Sequence, residues 1–336
     1  MKLWNKDLNK EIIYIAEIGV NHEGNFQRCL KLVNLAKKAG ADVVKFQCFT
    51  PSKYYSNEEE KYKQADKFYF GPEQFIKIIK FCKKININFL FTALTEDWIN
   101  FIKRYSNTIK IASGDLNFKH LIKLVTKKKL NIILSTGISD NKEISETYKI
   151  IKKAYKNQIN KKLVIMHCVS NYPVESVNVN LRNLKNLEKK YNTVLGYSNH
   201  AIGIEACLAS ICLNARVIEF HFTDNKKRKF RDHQLSLDVS DVRKMIKIGN
   251  SFNILLGRPD RKKLPKNLKS LKDKFNKGII AKKLIKKNQK IKLKDLAFAR
   301  TAKFLHANNY NQIINKKAKK NIKAGEYIKK TFFFKN

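Results

Sequence analysis

The chain has 336 residues, 43% of them hydrophobic, including 21 Phe and 13 Tyr. This length and composition exclude a single small module and a disordered chain, because a sizeable core can be buried. Lys and Arg number 70 against 28 Asp and Glu, a net charge of +42, but only ten of the 70 are Arg. We interpret this surplus as solvated lysine-rich faces and expect no nucleic-acid partner, because nucleic-acid recognition favours Arg.

The cysteine and hydropathy patterns indicate an intracellular setting. The six cysteines form no CxxC pair, and no secretory leader precedes the first apolar run. No apolar stretch approaches the ~18 residues that span a bilayer. We therefore expect reduced, mostly buried thiols in a cytoplasmic protein without a membrane partner.

Short apolar, β-branched runs alternate with lysine-rich segments of helical period, which is the pattern of βα units around a parallel sheet. The predicted strands are residues 12–18, 42–47, 87–92, 108–112, 131–135, 162–168, 193–197 and 217–222. Amphipathic helices are predicted between them, for example at 26–40, with a Gly stop at Gly40, and at 72–84, with Pro72 at the start.

Eight such strands in about 225 residues predict an α/β fold of the (β/α)8 TIM-barrel type. An open doubly wound sheet is the alternative. The dinucleotide motif G-x-G-x-x-G is missing after the first strand, however, where IGVNHEGN has its glycines at a different spacing.

The composition changes after Gly257. Residues 258–275 hold two of the five prolines and many charges, as an exposed linker would. We predict a barrel domain at 1–257, a linker at 258–275 and a small β-rich domain at 276–336. This last part contains the β-like pieces GIIAKKLI and YIKKTFFF, and the strings KKNQKIK and NIKAGEYIKK suggest a weak internal duplication. So short a segment has a marginal core, so we expect it to dock on another surface.

Polar side chains stand at the carboxyl ends of the predicted strands, where a TIM barrel builds its active site. Lys45 and Gln47 share one face of the second strand, and Glu219 and His221 share one face of the eighth, with apolar residues opposite. Buried charges need partners, so these converging groups predict a site for an anionic ligand and a metal.

Two sets of residues carry this prediction. His200 and His221 come from adjacent strands and can reach one divalent cation, with Glu219 and Asp232 nearby. A structural role for the histidines is the alternative. A second set has the composition of a phosphate and carboxylate cradle, unless its lysines are simply solvated: Lys45, Lys110, Thr92, Ser113, Ser135 and Ser198.

Eight strings occur in a characteristic order: IAEIGVNHEGN, GADVVKFQ, IKIASGDL, ILSTG, HCVSNYPV, LGYSNHAIGIEACLAS, VIEFHFT and DHQLSLD. With them the chain resembles, over nearly its whole length, the sialic acid synthase family of the N-acetylneuraminate synthase type. The resemblance implies a TIM barrel with a C-terminal antifreeze-like (SAF) domain. It also implies condensation of phosphoenolpyruvate with an N-acylated hexose of the N-acetylmannosamine type, giving a nine-carbon sugar and phosphate.

Two alternatives to this activity stay open. One is a legionaminate or pseudaminate synthase that uses a 2,4-diacetamido-dideoxy hexose. The other is a basic carbohydrate- or polyanion-binding protein on an inactive barrel, which the net charge of +42 would suit.

The resemblance also implies roles for individual residues. Phosphoenolpyruvate would be held by Lys45, Thr92, Lys110, Ser113, Ser135 and Ser198. His200 and His221 would bind Mn2+, or else Mg2+ or Co2+; Glu17, Glu219 and Asp232 would be catalytic; and Gln47, Tyr172 and Arg300 would contact the sugar. Members of the family form domain-swapped homodimers, in which an Arg of the SAF domain, matched here by Arg300, reaches the partner's barrel.

The chain departs from the family pattern at several positions. Phe220 stands where a basic residue is common, and strand parity predicts that it points outward. Asn199 replaces an Asp beside His200, and Ser170 replaces a common Asn. The string LAFARTAKFLHANN lacks the Arg-Pro-Gly turn of SAF domains, which makes Arg300 the weakest of these matches.

Overall fold

The computed structural model describes residues 1–257, 265–302 and 304–333. The chain divides after Gly257 into two compact units, described separately below. Residues 258–264 of the predicted linker and residues 334–336 of the predicted last domain lie outside the described residues.

The first unit is a closed barrel of eight parallel strands, as predicted, in chain order around the ring with the last strand beside the first. The barrel strands are β3 (Ile13–Glu17), β4 (Val43–Cys48), β5 (Asn88–Ala93), β6 (Thr108–Ile111), β7 (Asn131–Ser135), β8 (Leu163–His167), β9 (Val194–Asn199) and β10 (Val217–His221). They are preceded by a short hairpin of β1 (Lys2–Leu3) and β2 (Lys6–Asp7), which the sequence did not predict. Closure leaves no unpaired sheet edge.

Helices fill the connections between the strands, again as predicted. They are α1 (Phe26–Ala39), α2 (Pro51–Tyr54), α3 (Glu60–Phe68), α4 (Pro72–Lys84), α5 (Ile99–Tyr105), α6 (Lys119–Lys127), α7 (Asn141–Tyr155), α8 (Asn183–Lys190), α9 (Glu205–Cys212) and α10 (Val239–Leu256). The side chain of Asn25 caps α1 by accepting the N–H of Arg28, and Gly40 ends the helix at φ 95°. Only glycine adopts that conformation readily, so Gly40 is the predicted stop signal.

Alternation along the strands sorts the side chains into layers. Outward residues such as Val44, Phe46 and Phe220 pack under the helices in the main core. Inward residues near the amino ends form a second, apolar cluster: Ile13, Ile15, Val43, Leu90, Ile133, Val164, Met166 and Val217. Leu3 and Leu8 of the hairpin segment pack against this cluster and plug the barrel at that end. At the carboxyl ends the inward residues are polar, so the interior is apolar at one end and ionic at the other.

The second unit begins with α11 (Lys266–Phe275), which lies in the predicted linker. Strands β11 (Lys277–Ala281) and β12 (Leu296–Arg300) pair antiparallel over a core of its own. The piece YIKKTFFF, predicted as β-like, is not a strand: it contains a 3-10 turn at Lys330–Phe332, flanked by isolated bridges.

The two predicted duplicate strings adopt the same turn. Lys286 N–H donates to Gln289 Oε1 and Lys323 N–H to Glu326 Oε2, both at 3.0 Å. The residues that precede these turns, Ile285 and Ile322, bridge each other. Across the described parts of both units, no helix is long and apolar enough to cross a bilayer.

Candidate active site

A small cavity of about 80 Å3 opens at the carboxyl ends of the barrel strands. Twelve of the 14 residues predicted for the site line it: Glu17, Lys45, Gln47, Thr92, Lys110, Ser113, Ser135, Tyr172, Ser198, His200, Glu219 and His221. The barrel therefore brings together side chains that are separated by up to two hundred positions, because each stands near the end of a different strand.

The floor of the cavity is a buried ionic cluster centred on Glu219. Its Oε1 accepts hydrogen bonds from Lys110 Nζ at 2.7 Å, Ser198 Oγ at 2.9 Å and Lys45 Nζ at 3.0 Å. Lys45 also lies 3.2 Å from Glu17 Oε2, and Gln47 Nε2 donates to Glu17 Oε1 at 3.0 Å. Two cations thus face two carboxylates out of reach of bulk solvent, which a protein tolerates only when such groups are paired.

The same surroundings give the two carboxylates, Glu17 and Glu219, very different pKa values. Burial raises the pKa of Glu17 to about 7, and the charge of Glu219 acts in the same direction although Lys45 opposes both. Burial would also raise the pKa of Glu219, but the charges and hydrogen bonds of Lys110 and Lys45 hold it well below its usual range. Burial lowers the pKa of Lys110, against the pull of Glu219. Glu219 is therefore permanently ionised, whereas Glu17 titrates near neutrality.

Hydroxyl groups line the wall beside the lysines. Among the described residues, two hydroxyls of the cavity lining, Thr92 Oγ1 and Ser135 Oγ, are buried without a hydrogen-bond partner, as is Ser170 Oγ, which does not line the cavity. Unpaired buried hydroxyls are costly, so their presence together indicates that a ligand supplies the missing partners. Oxygen-rich anions such as phosphate and carboxylate suit a wall of donors next to two ammonium groups.

Gly137 keeps a notch open in this wall. A Cβ at this position would lie 2.5 Å from Ser170 Oγ, 2.7 Å from Cys168 Sγ and 2.8 Å from Ser113 Oγ. The N–H of Gly137 donates to Ser113 Oγ at 2.9 Å, and Ser113 Oγ lies 3.1 Å from Cys168 Sγ. Any larger residue at 137 would push these groups apart.

His200 and His221 form the opposite wall, with ring centroids 5.5 Å apart. His200 Nδ1 lies 2.6 Å from the carbonyl oxygen of Val169, so it carries the proton and leaves Nε2 free to bind a cation. Burial lowers the pKa of each ring to about 3, so both are neutral at physiological pH. Neutral imidazole is the form that ligates metal ions.

The number of side chains that could ligate a metal ion limits how such an ion would be coordinated here. The described residues contain no group of three His, Cys, Asp or Glu side chains arranged to hold a metal. A divalent cation here would have two imidazole ligands and would complete its coordination with substrate or water, as open catalytic sites do.

One predicted sugar contact, Tyr172, and one carboxylate, Asp232, lie at or near the rim, whereas Arg300 lies in the second unit. The ring of Tyr172 is 4.1 Å from that of His200 and the residue is 50% exposed. Asp232 does not line the cavity, but its Oδ2 lies 3.4 Å from His221 Nδ1, and burial raises its pKa. Arg300 belongs to the second unit, where it is exposed and its guanidinium lies 5.8 Å from the ring centroid of Phe275.

The departures from the family pattern are accommodated locally. Phe220 is fully buried in the outer core, as strand parity predicts. Asn199 accepts from Tyr197 Oη at 3.0 Å and donates to the carbonyl oxygen of Ala201 at 2.8 Å, so it orders the turn that carries His200.

Sequence reasoning missed two residues near the site. Cys168 lines the cavity, although the sequence predicted only that the cysteines are reduced, mostly buried thiols; its place directly after β8 was the available signal. His233 is buried behind Asp232, and its signal was the string DHQLSLD, of which only Asp232 was considered.

Comparisons with known proteins agree with this arrangement. The sequence pattern of the NeuB family matches residues 32–261, and that of the SAF domain matches residues 276–333. The chain is 30% identical to the pseudaminic acid synthase of Campylobacter jejuni, over 99% of this chain and 100% of that protein. It is also 30% identical to the N,N'-diacetyllegionaminic acid synthase of the same species, over 95% of this chain and 99% of that protein.

A solved structure shows the same likeness in three dimensions. The N-acetylneuraminic acid (sialic acid) synthetase of Leptospira borgpetersenii, solved in complex with citrate, is 27% identical and superposes with a TM-score of 0.73. The match covers 78% of this chain and 91% of that one.

Proposed function

The chain belongs to the NeuB family and carries a C-terminal SAF domain, and on this basis we propose that it is a synthase of sialic-acid-like sugars. It condenses phosphoenolpyruvate with an N-acylated hexose of the N-acetylmannosamine type, giving a nine-carbon sugar and inorganic phosphate. The observation that carries the proposal is the buried pair Lys45 and Lys110 beside unpartnered hydroxyls, a site built for a small, multiply charged anion.

The reaction makes one carbon–carbon bond. C3 of phosphoenolpyruvate attacks the aldehyde carbon of the open-chain sugar, water adds to C2, and the C2–O bond breaks to release phosphate. Lys45 and Lys110 neutralise the phosphate and carboxylate, and the hydroxyls of Thr92, Ser113, Ser135 and Ser198 orient them. The attacking carbon is then held toward the rim, where the sugar arrives.

The carboxylates divide the remaining work. Glu219 stays ionised and holds both lysines and Ser198 in place. Glu17, with its pKa raised to about 7, is suited to take and return a proton near neutral pH. Asp232 lies beside His221 at the sugar end, and Gln47 and Tyr172 complete that end of the site.

We assign His200 and His221 to a divalent cation, Mn2+ in the first place, with Mg2+ and Co2+ as alternatives. The neutral, closely spaced rings support this assignment. Such an ion would supply a Lewis acid at the sugar end, next to Tyr172 and Asp232.

We also propose that the protein is cytoplasmic and forms a domain-swapped homodimer. In this dimer, Arg300 of one copy reaches the sugar end of its partner's barrel. The match to the SAF domain supports this assembly. Six free cysteines, five of them buried, suit a reducing compartment.

A second candidate substrate is a 2,4-diacetamido-dideoxy hexose. It is favoured by the two synthases named above, for pseudaminic and N,N'-diacetyllegionaminic acid, which match this chain over nearly its full length.

Phosphate release tests these proposals directly. Incubation with phosphoenolpyruvate and a panel of N-acetylated mannose and 2,4-diacetamido sugars should release phosphate with at least one sugar, and only in the presence of a divalent cation. A chelator should abolish the release and added Mn2+ should restore it. Removing one metal ligand, in His221→Ala, should lower turnover by about 100-fold or more at any Mn2+ concentration.

The control is His120→Ala, which removes an exposed histidine of α6. Wild-type turnover in the His221→Ala variant at saturating Mn2+ would contradict the metal assignment. Binding of polyanions that weakens steeply with salt, without phosphate release from any sugar, would favour an inactive binding protein instead.

A further inference from the structure

Asp232 lies in a turn that the first βα loop of the barrel holds in place. This turn follows β10 and includes the 3-10 segment Arg231–Gln234. Asn21, just after β3, donates through Nδ2 to Ser236 Oγ and to the carbonyl oxygen of Phe222, both at 2.9 Å. Ser236 Oγ in turn donates to the carbonyl oxygen of Asp232 at 2.6 Å. Asn21 therefore ties both ends of the segment from Phe222 to Ser236 to the loop that follows β3.

A second set of hydrogen bonds involves His233, which is next to Asp232 in the chain. His233 is 0% exposed. Its Nδ1 lies 2.7 Å from Thr223 Oγ1 and its Nε2 lies 3.1 Å from Glu23 Oε1. The ionised carboxylate of Glu23 can only accept, so Nε2 of the neutral His233 ring carries the proton and Nδ1 is the acceptor. The Thr223 hydroxyl accepts the N–H of Asn225 at 3.0 Å and donates to His233 Nδ1, which is nearer than its other acceptor, the carbonyl oxygen of Asn225 at 3.2 Å. His233 Nε2–H then donates to the carboxylate of Glu23.

Glu23 is itself anchored. Its Oε1 lies 2.7 Å from Arg28 of helix α1, and although burial would raise its pKa, the hydrogen bond and charge of Arg28 lower it, so it stays ionised. Burial lowers the pKa of His233, which keeps the ring neutral with a single N–H, as this chain of hydrogen bonds requires.

We propose that Asn21, Thr223 and His233 are positioning residues that hold the carboxylate of Asp232 against His221 at the sugar end of the site. The inference rests on the proposed function in that it gives Asp232 a part in the reaction. Neither Asn21 nor His233 lines the cavity, so both act through Asp232.

The network suits this task because every group in the His233 set of hydrogen bonds has a partner. A buried histidine costs free energy unless both ring nitrogens are hydrogen-bonded, and an apolar side chain would fill the same space without that requirement. What the polar network adds is a single geometry for the turn. That matters for a carboxylate beside a reacting centre, where a displacement of about 1 Å can cost roughly 100-fold in rate.

The test compares Thr223→Val with Thr223→Ser. Valine has nearly the shape of threonine but removes the partner of His233 Nδ1 and of the Asn225 N–H, whereas serine keeps the hydroxyl and both hydrogen bonds. We expect Thr223→Val to lower kcat by about 10- to 100-fold, with the KM for phosphoenolpyruvate unchanged, and Thr223→Ser to retain wild-type kcat. In an Asp232→Asn background, Thr223→Val should have no further effect on kcat, because the residue through which it acts is already disabled. Thr126→Val, which removes a buried hydroxyl on α6, is the matched control.

A crystal structure of each variant supplies a readout that does not need turnover. Thr223→Val should displace the Asp232 carboxylate from His221 by about 1 Å or more, and Thr223→Ser should not. If the wild type releases no phosphate with any sugar, the proposed function fails, and the positioning role is then judged on these structures alone.

Glu23→Met and Glu23→Gln form a second pair in case Thr223→Val does not fold, because Glu23 is only partly buried. Gln can still accept the N–H of His233, whereas Met cannot. Asp232 should move in the Met variant and stay in place in the Gln variant. The proposal is overturned if Asp232 keeps its place when either partner of His233 is removed, or if Thr223→Val lowers kcat equally with and without Asp232→Asn.

Discussion

Glu17 and Glu219 have the same functional group and share one lysine, yet they differ in charge state. Glu219 receives both ammonium groups and a hydroxyl on a single oxygen, whereas Glu17 receives Lys45 at longer range and the amide of Gln47. Environments that push two pKa values apart separate a group that holds charge from a group that moves a proton. This difference supports the proposal that Glu17, rather than Glu219, handles a proton.

The assignment predicts a pH dependence. A carboxyl with a pKa of about 7 is protonated below that pH, so a reaction that needs its ionised form gains activity as the pH rises through about 7. In the wild type, log kcat/KM should therefore climb between about pH 6 and pH 8 and then level off. Glu17→Gln should abolish this rise of log kcat/KM with pH and should lower the rate by about 100- to 10,000-fold.

The pH profile of phosphate release measures both effects. Glu146→Gln, which removes an exposed carboxylate of α7, is the control and should reproduce the wild-type profile. A rise near pH 7 that persists in Glu17→Gln would assign the titration to another group.

At the scale of elements, the hydrophobic periodicity of the sequence was enough to predict the barrel. Every barrel strand lies within two residues of its prediction, because β-branched runs between lysine-rich helices form a strong local signal. The hairpin β1–β2 was missed, since two-residue strands show no alternation. YIKKTFFF was mistaken for a strand because aromatic content alone does not distinguish a strand from a turn packed on a core.

The site was predictable in its members but not in its contacts. Strand ends and parity identify Lys45, Lys110, Glu219 and His221 as neighbours. That one oxygen of Glu219 takes three donors depends on side-chain torsions and on the register between strands far apart in the chain. The hydrogen bonds of His233 likewise depend on two loops that meet in the fold, which no local sequence pattern reveals.

The hairpin makes an element-scale prediction. Leu8 is 1% exposed and packs on the apolar cluster inside the barrel, so Leu8→Ala should lower the free energy of unfolding by about 2–5 kcal/mol. Turnover of the folded variant should be unchanged, because Leu8 packs at the amino-terminal end of the barrel, whereas the site residues stand at the carboxyl ends of the strands. Urea denaturation checks the stability, with Leu255→Ala, at an exposed position of α10, expected within about 0.5 kcal/mol of the wild type. An equal loss of unfolding free energy in both variants would contradict the prediction that Leu8 stabilises the amino-terminal end of the barrel.

At the scale of the whole molecule, charge is divided unevenly. Residues 258–336 hold 26 of the 70 Lys and Arg residues but only four of the 28 Asp and Glu residues. A unit so basic is attracted to anions. This charge supports the proposed swapped dimer, in which the second unit of one copy approaches a partner's site that binds phosphoenolpyruvate.

The dimer predicts a specific kinetic effect for Arg300→Ala. Loss of a charge-assisted hydrogen bond, worth about 1.5–3 kcal/mol, should raise the KM for the sugar by about 10- to 100-fold and leave that for phosphoenolpyruvate unchanged. Co-expression of Arg300→Ala with His221→Ala should restore activity, because each mixed dimer then contains one intact barrel facing one intact Arg300.

Co-expression of His221→Ala with Lys110→Met is the control, since each change disables the barrel of its own chain and no mixed dimer then contains an intact barrel. Failure of the first pair to regain activity, with dimers present, would show that Arg300 serves its own barrel or none.

The hairpin plug has a further consequence for the order of events. Because Leu3 and Leu8 pack across the amino-terminal end of the barrel, ligands should reach the cavity from the carboxyl ends of the strands, where Tyr172 is 50% exposed while Lys45 and Lys110 are buried. Under the proposed function, phosphoenolpyruvate should therefore bind before the sugar, which would then cover it until the new bond is made. On the same reasoning, phosphate should leave after the nine-carbon product.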